Sequence, residues 1–406
     1  MIATIILAAA VTALPQQFSN LPLESALQQA VQSSPDVAQA RERVNENSAL
    51  LAAARGLAAP SIVANYAASP QAGNFNNTVE QQLTTLGAQI KLGDYLAYHP
   101  TVLQAAFTLA SAEFDLLDVQ RAERLKVIGQ YYSALKAAAT LDVQESSYAG
   151  AQRDLHAAEL RYRAGDAPRL DVVRAQVALA EAQANVDAAQ VDLANAENAL
   201  AVETGATSQS FGRAAPTPMQ TLPSNPERAV ERALAQRSDL ASAQQAVNAE
   251  GAAVRVVSRG TLPIVTVNAG YTTGVDTGIP VHGPSATVNV ALPISRTAAE
   301  RTRAERARLA QAQYKADSIR RQITVEVSAA ARTYAESMRA VQSASAARAA
   351  AEAELRATET GYQSGASSSL DVADARRTYV QAALAELAAV YAEAQAAATL
   401  EQEMGQ

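Results

Sequence analysis

The sequence has no cysteine and no tryptophan, only 4% aromatic residues and three histidines. Without cysteine there are no disulfides, no thiolate metal sites, no catalytic thiols and no lipid-carrying cysteine behind a leader. His99, His156 and His282 lie far apart in the chain and show no ligand spacing such as HExxH. Neither a phosphate-cradling GxxxxGKS or GxxxxGKT nor a GxSxG nucleophile elbow occurs. The expectation is a protein that is not an enzyme and holds no cofactor and no metal. Positive charge is not in excess either. The formal net charge is −7, which argues against nucleic acid as a partner. Beyond the first residues, no segment reaches the roughly 18 to 20 apolar residues of a spanning helix. A membrane would have to be met by another kind of structure.

What is present is alanine, accompanied by Glu, Gln, Arg and Leu, in a chain of 406 residues that is 49% apolar. These residues lose least on entering a helix, and so few aromatics are thin for several globular cores. Long helices are expected. The opening MIATIILAAAVTALPQQ is apolar from Ile2 to Leu14, and Val11-Thr12-Ala13 suits signal-peptidase cleavage, so residues 1–13, or 1–17, read as a leader. No basic residue precedes Arg41, so the usual positive start of a leader is missing, and a plain buried helix is the alternative.

The chain repeats itself. SSPDVAQARERV (Ser33 to Val44) pairs with QRSDLASAQQAV (Gln236 to Val247), and APSIVANYA from Ala59 pairs with LPIVTVNAGY from Leu262. Gly165 pairs with Gly365, Leu170-Asp171-Val172 with Leu370-Asp371-Val372, and Glu203-Thr204-Gly205 with Glu403-Met404-Gly405. The expected organisation is a first repeat over 21–211, a Pro- and Ser-containing linker over 212–226 and a second repeat over 227–406.

Each repeat reads as helix, strand, strand, long helix, tight turn, helix. Helices are expected from Asp36 to Arg55 and from Asp239 to Val257. The strand signal is a clean period of two. Leu86, Ala88, Ile90 and Leu92 alternate with Thr85, Gly87, Gln89 and Lys91, and Val265, Val267, Ala269 and Tyr271 with Thr266, Asn268 and Gly270. Ala286, Val288, Val290 and Leu292 likewise face away from Thr287 and Asn289. Long helices follow from Pro100 to Arg163 and from Thr297 to Gln363, each roughly 95 to 100 Å long. Each turns at Gly165 or Gly365 and returns through Arg169 to Glu203 or Ser369 to Glu403. Two-faced strands suit a barrel with lipid outside and water inside, but four are too few to close one, which takes about eight, so the chain would have to oligomerise. A small soluble sheet at the end of a coiled coil is the other reading.

The duplicated order, the strand pairs and the repeated G-x(4)-L-D-V turn resemble the TolC family of outer-membrane efflux channel proteins over Leu21 to Gly405. The resemblance implies a mainly α fold with a small β part: long antiparallel helical hairpins form an α-barrel, and four strands per chain join a trimeric transmembrane β-barrel. It further implies outer-membrane localisation with a large periplasmic portion. The expected function is a homotrimeric tunnel of a tripartite efflux or type I secretion system, passively conducting substrates from an inner-membrane pump and a periplasmic adaptor (membrane fusion) protein. A periplasmic coiled-coil scaffold or adaptor without a pore is the alternative.

In the family, the turns are the periplasmic tips, and the second-copy helices coil inward to close the entrance. Asp371 and Asp374, three apart and so on one helix face, match the aspartates of the family's constricting ring. Acidic residues in a first helical turn are also favoured by the macrodipole alone, so Asp371 reads as cap or gate and Asp374 as gate. Arg174 stands in the first copy where Asp374 stands in the second. Tyr362 matches a family position that latches the closed tip, but Ser367 replaces the expected basic residue and His156 the expected acidic partner. A histidine there would make closure depend on pH around 6 to 7, unless it is simply exposed and unpaired. Arg163, Ala164, Gly165 and Asp166, with Ser364, Gly365, Ala366 and Ser367, are the candidates for adaptor contact.

Overall fold

The computed structural model describes residues 22–57, 59–72, 78–205, 225–259, 262–276, 279–292 and 297–405. The expected leader, and residues 212–224 of the expected linker, lie outside the described residues. The same order of elements occurs twice. The first set is α1 (Leu23–Ser33), α2 (Pro35–Gly56), β1 (Ser61–Ala72), β2 (Thr78–Lys91), α3 (Leu92–Ala164) and α4 (Arg169–Thr204). The second is α5 (Pro226–Gln236), α6 (Ser238–Ser258), β3 (Ile264–Asp276), β4 (Ile279–Ala291), α7 (Thr297–Ser364) and α8 (Ser369–Glu403). The long helices α3 and α7 have 73 and 68 residues. At 1.5 Å per residue they are about 110 and 100 Å long.

Two features depart from the sequence expectation. Helix α3 starts at Leu92, eight residues before Pro100, which lies inside it. The strand expected to reach Leu92 therefore ends at Lys91. Proline removes one ladder hydrogen bond from a helix and so reads as a start, but Pro100 is buried and the helix runs through it. The second is a pair of 11-residue helices, α1 and α5, that sequence reading passed over. Each seats a small apolar stripe on the long helices. Ala26, Leu27 and Ala30 of α1 join Val127, Ile128, Tyr131, Leu200 and Tyr391 in one core. Ala229 and Ala233 of α5 join Ile323, Val327, Ala331, Leu400 and Met404 in another. The shorter helices α2 and α4 both lie along α3, α6 and α8 lie along α7, and α3 also touches α6 and α8. The two repeats thus pack side by side, with strands at one end and turns at the other.

The four strands form one antiparallel sheet in the order β1-β2-β3-β4. Its register stacks the apolar positions in rows. Ala64, Leu86 and Tyr271 are paired across the sheet, as are Ile62, Ala88, Ala269 and Ala286, then Ile90, Val267 and Val288, and Val265 with Val290. The polar positions stack on the opposite face, where Gln89 pairs with Asn268 and Asn268 with Thr287. At the hairpin ends, Thr84, Thr273 and His282 also share the apolar face.

Candidate functional site

Two places in this frame carry chemistry. The first is the sheet. Its polar face is knitted by side chains: Gln89 Nε2 donates to Asn268 Oδ1 at 2.8 Å, and Asn268 Nδ2 to Thr287 Oγ1 at 3.2 Å. The hydroxyls of Thr85 and Thr272 share a bond of 2.8 Å, and Thr272 donates to Ser285 at 2.9 Å. Such groups are satisfied laterally and still available to water. Among the described residues nothing covers the apolar face: Ile62 is 85% exposed, Val288 64%, Leu86 61% and Tyr271 52%. A contiguous apolar face of this kind marks a surface that meets a partner or lipid. Strands of 12 to 14 residues, rising about 3.4 Å each and tilted about 45°, are about 30 Å tall, the thickness of a hydrocarbon core. Among the described residues, no helix is long and apolar enough to cross a membrane.

The second place is the pair of tips. Both close by the same backbone device. Gly165 (φ 85°) and Gly365 (φ 84°) take the left-handed conformation that a Cβ disfavours. Asp166 N–H reaches back to Arg161 O at 2.9 Å, and Ala366 N–H to Gly361 O at 2.7 Å. Arg163, Ala164, Gly165, Asp166, Ser364, Gly365 and Ala366 are all exposed there. Arg163 pairs with Glu159 on its own helix at 3.4 Å.

The carboxylate of Asp371 is engaged as a cap. It accepts from the Ser368 N–H and the Ser368 hydroxyl, both at 2.8 Å, while Asp371 N–H donates to Ser368 Oγ at 3.2 Å. These bonds to the charged form, the backbone one first, hold its pKa below the usual carboxylate value. Asp374 is exposed and paired with Arg377 of the same helix at 3.0 Å. The two aspartates share the start of α8 but serve different partners. In the first tip, Asp171 accepts a hydrogen bond from Ser369 of the second at 2.7 Å and stands 3.9 Å from Arg174, so the tips are tied to each other.

Tyr362 is engaged by Arg161, whose guanidinium lies 4.4 Å from the ring centre and whose Nη1 donates to the Tyr362 carbonyl at 3.0 Å. His156 is exposed and makes no hydrogen bond or ion pair among the described residues. Ser367 folds back on its own turn, its N–H donating to Gly361 O at 3.2 Å, with its hydroxyl where a Cβ on residue 361 would sit.

Sequence reading missed Arg376. From α8 it reaches Asp154 on α3 at 2.8 Å and Glu359 on α7 at 2.7 Å, and its side chain is 18% exposed. Gly150 on α3 leaves room for the guanidinium, since a Cβ there would press on Arg376 Nη1. The arginine lines a cleft of about 670 Å³ between α3, α7 and α8, with Arg348, Glu352, Glu386 and Tyr391 among its other walls. Arg376 and Asp154 are 222 residues apart, which no spacing rule can anticipate, whereas the Asp374–Arg377 pair at i,i+3 was open to reading. Among the described residues, no group of histidine, cysteine or acidic side chains could hold a metal ion.

Comparison with known proteins agrees with this architecture. No curated protein matches the sequence. Among solved structures, the channel-forming protein CusC superposes with a TM-score of 0.81 at 18% identity, covering 96% of this chain and 93% of that one. The outer-membrane channel OprN gives 0.81 at 20% identity, covering 94% and 89%. The outer membrane channel CmeC of Campylobacter jejuni gives 0.79 at 15% identity, covering 94% and 85%. At such identities the likeness shows the fold. The family profile described as "Outer membrane efflux protein" matches residues 26–206 and 229–406, one segment in each repeat. The chain belongs to the outer membrane efflux protein family.

Proposed function

We propose that three copies of the chain close a single tunnel across the outer membrane and the periplasm. In this reading the tunnel conducts substrates passively from an inner-membrane pump through a periplasmic adaptor. The observation that carries it is the open sheet. An apolar face 30 Å tall belongs in lipid, and lipid offers no hydrogen-bond partner to the free edges of β1 and β4. One protomer cannot satisfy those edges; β4 of each copy pairing with β1 of the next does. Three copies supply twelve strands, above the eight or so that a barrel with filled interior takes, which leaves a water-filled lumen lined by the Gln89, Asn268 and Thr287 face. A soluble scaffold is disfavoured by the same face, since water would wet Ile62, Leu86, Tyr271 and Val288 together.

The narrow end lies at the tips. Asp374 is the aspartate free of capping duty, and three copies make a ring of carboxylates that attracts cations. Arg377 offsets each of them, so the neck is weaker as a cation filter than a bare carboxylate ring. The closed arrangement is held by Arg376, which ties the second-copy pair α7–α8 to α3, and by Arg161 on Tyr362. The exposed residues 163–166 and 364–366, with the half-buried Ser367, are the surface offered to the adaptor. Planar-bilayer recordings of the purified protein test this. Asp374→Ala should relieve block by multivalent cations, and Arg377→Ala should strengthen it. A protein found only in the soluble periplasmic fraction as a monomer, or block indifferent to both substitutions, contradicts the reading.

A further inference from the structure

The two repeats differ at one junction in a way that leaves a cavity with a charge pattern. In the second repeat, Arg237 sits between α5 and α6 with its side chain only 3% exposed. Its guanidinium meets Asp239 at 2.7 Å, Glu326 of α7 at 3.1 Å and Glu403 of α8 at 2.5 Å. Burial works against its charge, but the Asp239 hydrogen bond and the surrounding carboxylates more than offset it, and its pKa stands above the ordinary arginine value. Arg121 of α3 joins the same Glu403 at 3.2 Å, so this node fastens the second repeat to the first.

The matching place in the first repeat is the α1–α2 junction. Ser34 takes the position of Arg237, with nearly the same backbone: φ −63° and ψ 124° against φ −67° and ψ 127°. Gly205 closes against Ser33 there as Gly405 closes against Gln236 and Arg237. Asp36 and Glu203 stand where Asp239 and Glu403 stand. The arginine, however, is missing, and in its place is a cavity of about 320 Å³ lined by Ser34, Asp36, Glu123, Lys126 and Glu203, among others.

Three carboxylates face one ammonium in this cavity. Lys126 pairs with Glu203 at 2.6 Å and leaves Glu123 and Asp36 beyond ion-pair distance. Glu123 is only 7% exposed, lines the cavity, and makes no hydrogen bond or ion pair among the described residues. Its counterpart in the second repeat is the fully buried Ile323, so a carboxylate has been set into a place that the fold fills elsewhere with a hydrocarbon. Buried carboxylates are ordinarily paired. The internal copy shows what kind of group this frame accommodates, a planar cation with several donors among carboxylates; here Lys126 stands where Glu326 stands, and Glu123 supplies the third carboxylate in its stead.

We propose that this cavity is a binding site for small organic cations bearing a guanidinium group. The bound cation takes the place that the Arg237 side chain holds in the second repeat. It bridges Glu123 and Asp36, beside the Lys126–Glu203 pair, and fastens the α1–α2 junction to α3 and α4. An ammonium of similar size brings fewer and differently directed donors and binds less well.

The probe is n-propylguanidinium chloride, an arginine side chain without its backbone, titrated into the purified full-length protein in detergent. Calorimetry and thermal unfolding are followed at constant ionic strength, with n-propylammonium chloride as control. The expected result is saturable binding at one site per chain that favours guanidinium over ammonium. Glu123→Gln, which removes the buried charge and keeps the shape, should weaken it about ten-fold. Ser34→Arg places a tethered guanidinium from the equivalent backbone position, so it should abolish probe binding and raise the melting temperature of the ligand-free protein. If Ser34→Arg does not fold, Glu123→Gln decides alone. Lack of saturable binding by the wild type, or binding unchanged by Glu123→Gln, overturns the proposal. No conductance enters the readout, so the outcome is independent of the tunnel reading.

Discussion

Replacing Arg376 by glutamine keeps the length of the side chain and removes its charge. The arginine is 18% exposed, while Asp154 and Glu359 are 38% and 39% exposed. The carboxylates are solvated but the arginine is mostly buried, so each pair is worth about 0.5 to 1 kcal/mol, the upper part of the range for surface ion pairs. Both together give about 1 to 2 kcal/mol per chain. In a trimer whose tips open together the loss is threefold, about 3 to 6 kcal/mol, which shifts the ratio of closed to open tunnels by about 10² to 10⁴. Single-channel recording in planar bilayers reads this as a rise in resting conductance. Asp154→Asn should act in the same direction. The double variant should fall short of the sum of the two, because the second change removes a partner already lost. Resting conductance equal to wild type in a variant that still assembles would refute the clamp, and strictly additive effects would refute the pairing of the two residues.

Arg237→Ala should destabilise the protein by about 3 to 5 kcal/mol, since it strands Asp239, Glu326 and Glu403 without their common cation; thermal unfolding in detergent followed by circular dichroism measures it. Asp371 has a folded-state pKa below its ordinary value of 3.8, so its contribution to the α8 cap is present above that value and is lost as pH falls through the lowered one. Proteolysis at the second tip should therefore increase in strong acid, and Ser368→Ala should move that increase to higher pH. Gly365→Val forces a β-branched residue into the left-handed conformation and should cost about 1 to 2 kcal/mol, read as earlier loss of the second turn in hydrogen exchange.

The strands were readable because period two has no competing explanation: the alternation from Thr85 to Lys91 and from Val265 to Tyr271 assigns each side chain to a face before any register is known. The register itself, Leu86 on Tyr271 and Gln89 on Asn268, joins residues from different repeats and needed the structure. The turns were readable because a left-handed cap favours glycine, and Gly165 and Gly365 each lie five residues before a Leu-Asp-Val. Helices α1 and α5 were not, since a stripe as slight as Ala229 and Ala233 acquires meaning only against Ile323 and Leu400, about a hundred residues or more away. The start of α3 was misplaced because proline weakens a helix locally while burial of Pro100 is settled globally. At the tip, the aspartates were found by their motif, but what each does depends on Ser368 and Arg377. The clamp through Arg376 depends on Asp154, in the other repeat, and on Glu359, across the turn.

Spin labels placed singly at Val267, Val288, Asn268 and Asn289 in the protein reconstituted into lipid vesicles give the most direct test of the two-faced sheet. Labels at Val267 and Val288 should be accessible to oxygen and shielded from a water-soluble relaxation agent, and those at Asn268 and Asn289 should show the reverse. Water contact at the valines together with lipid contact at the asparagines would contradict the membrane barrel.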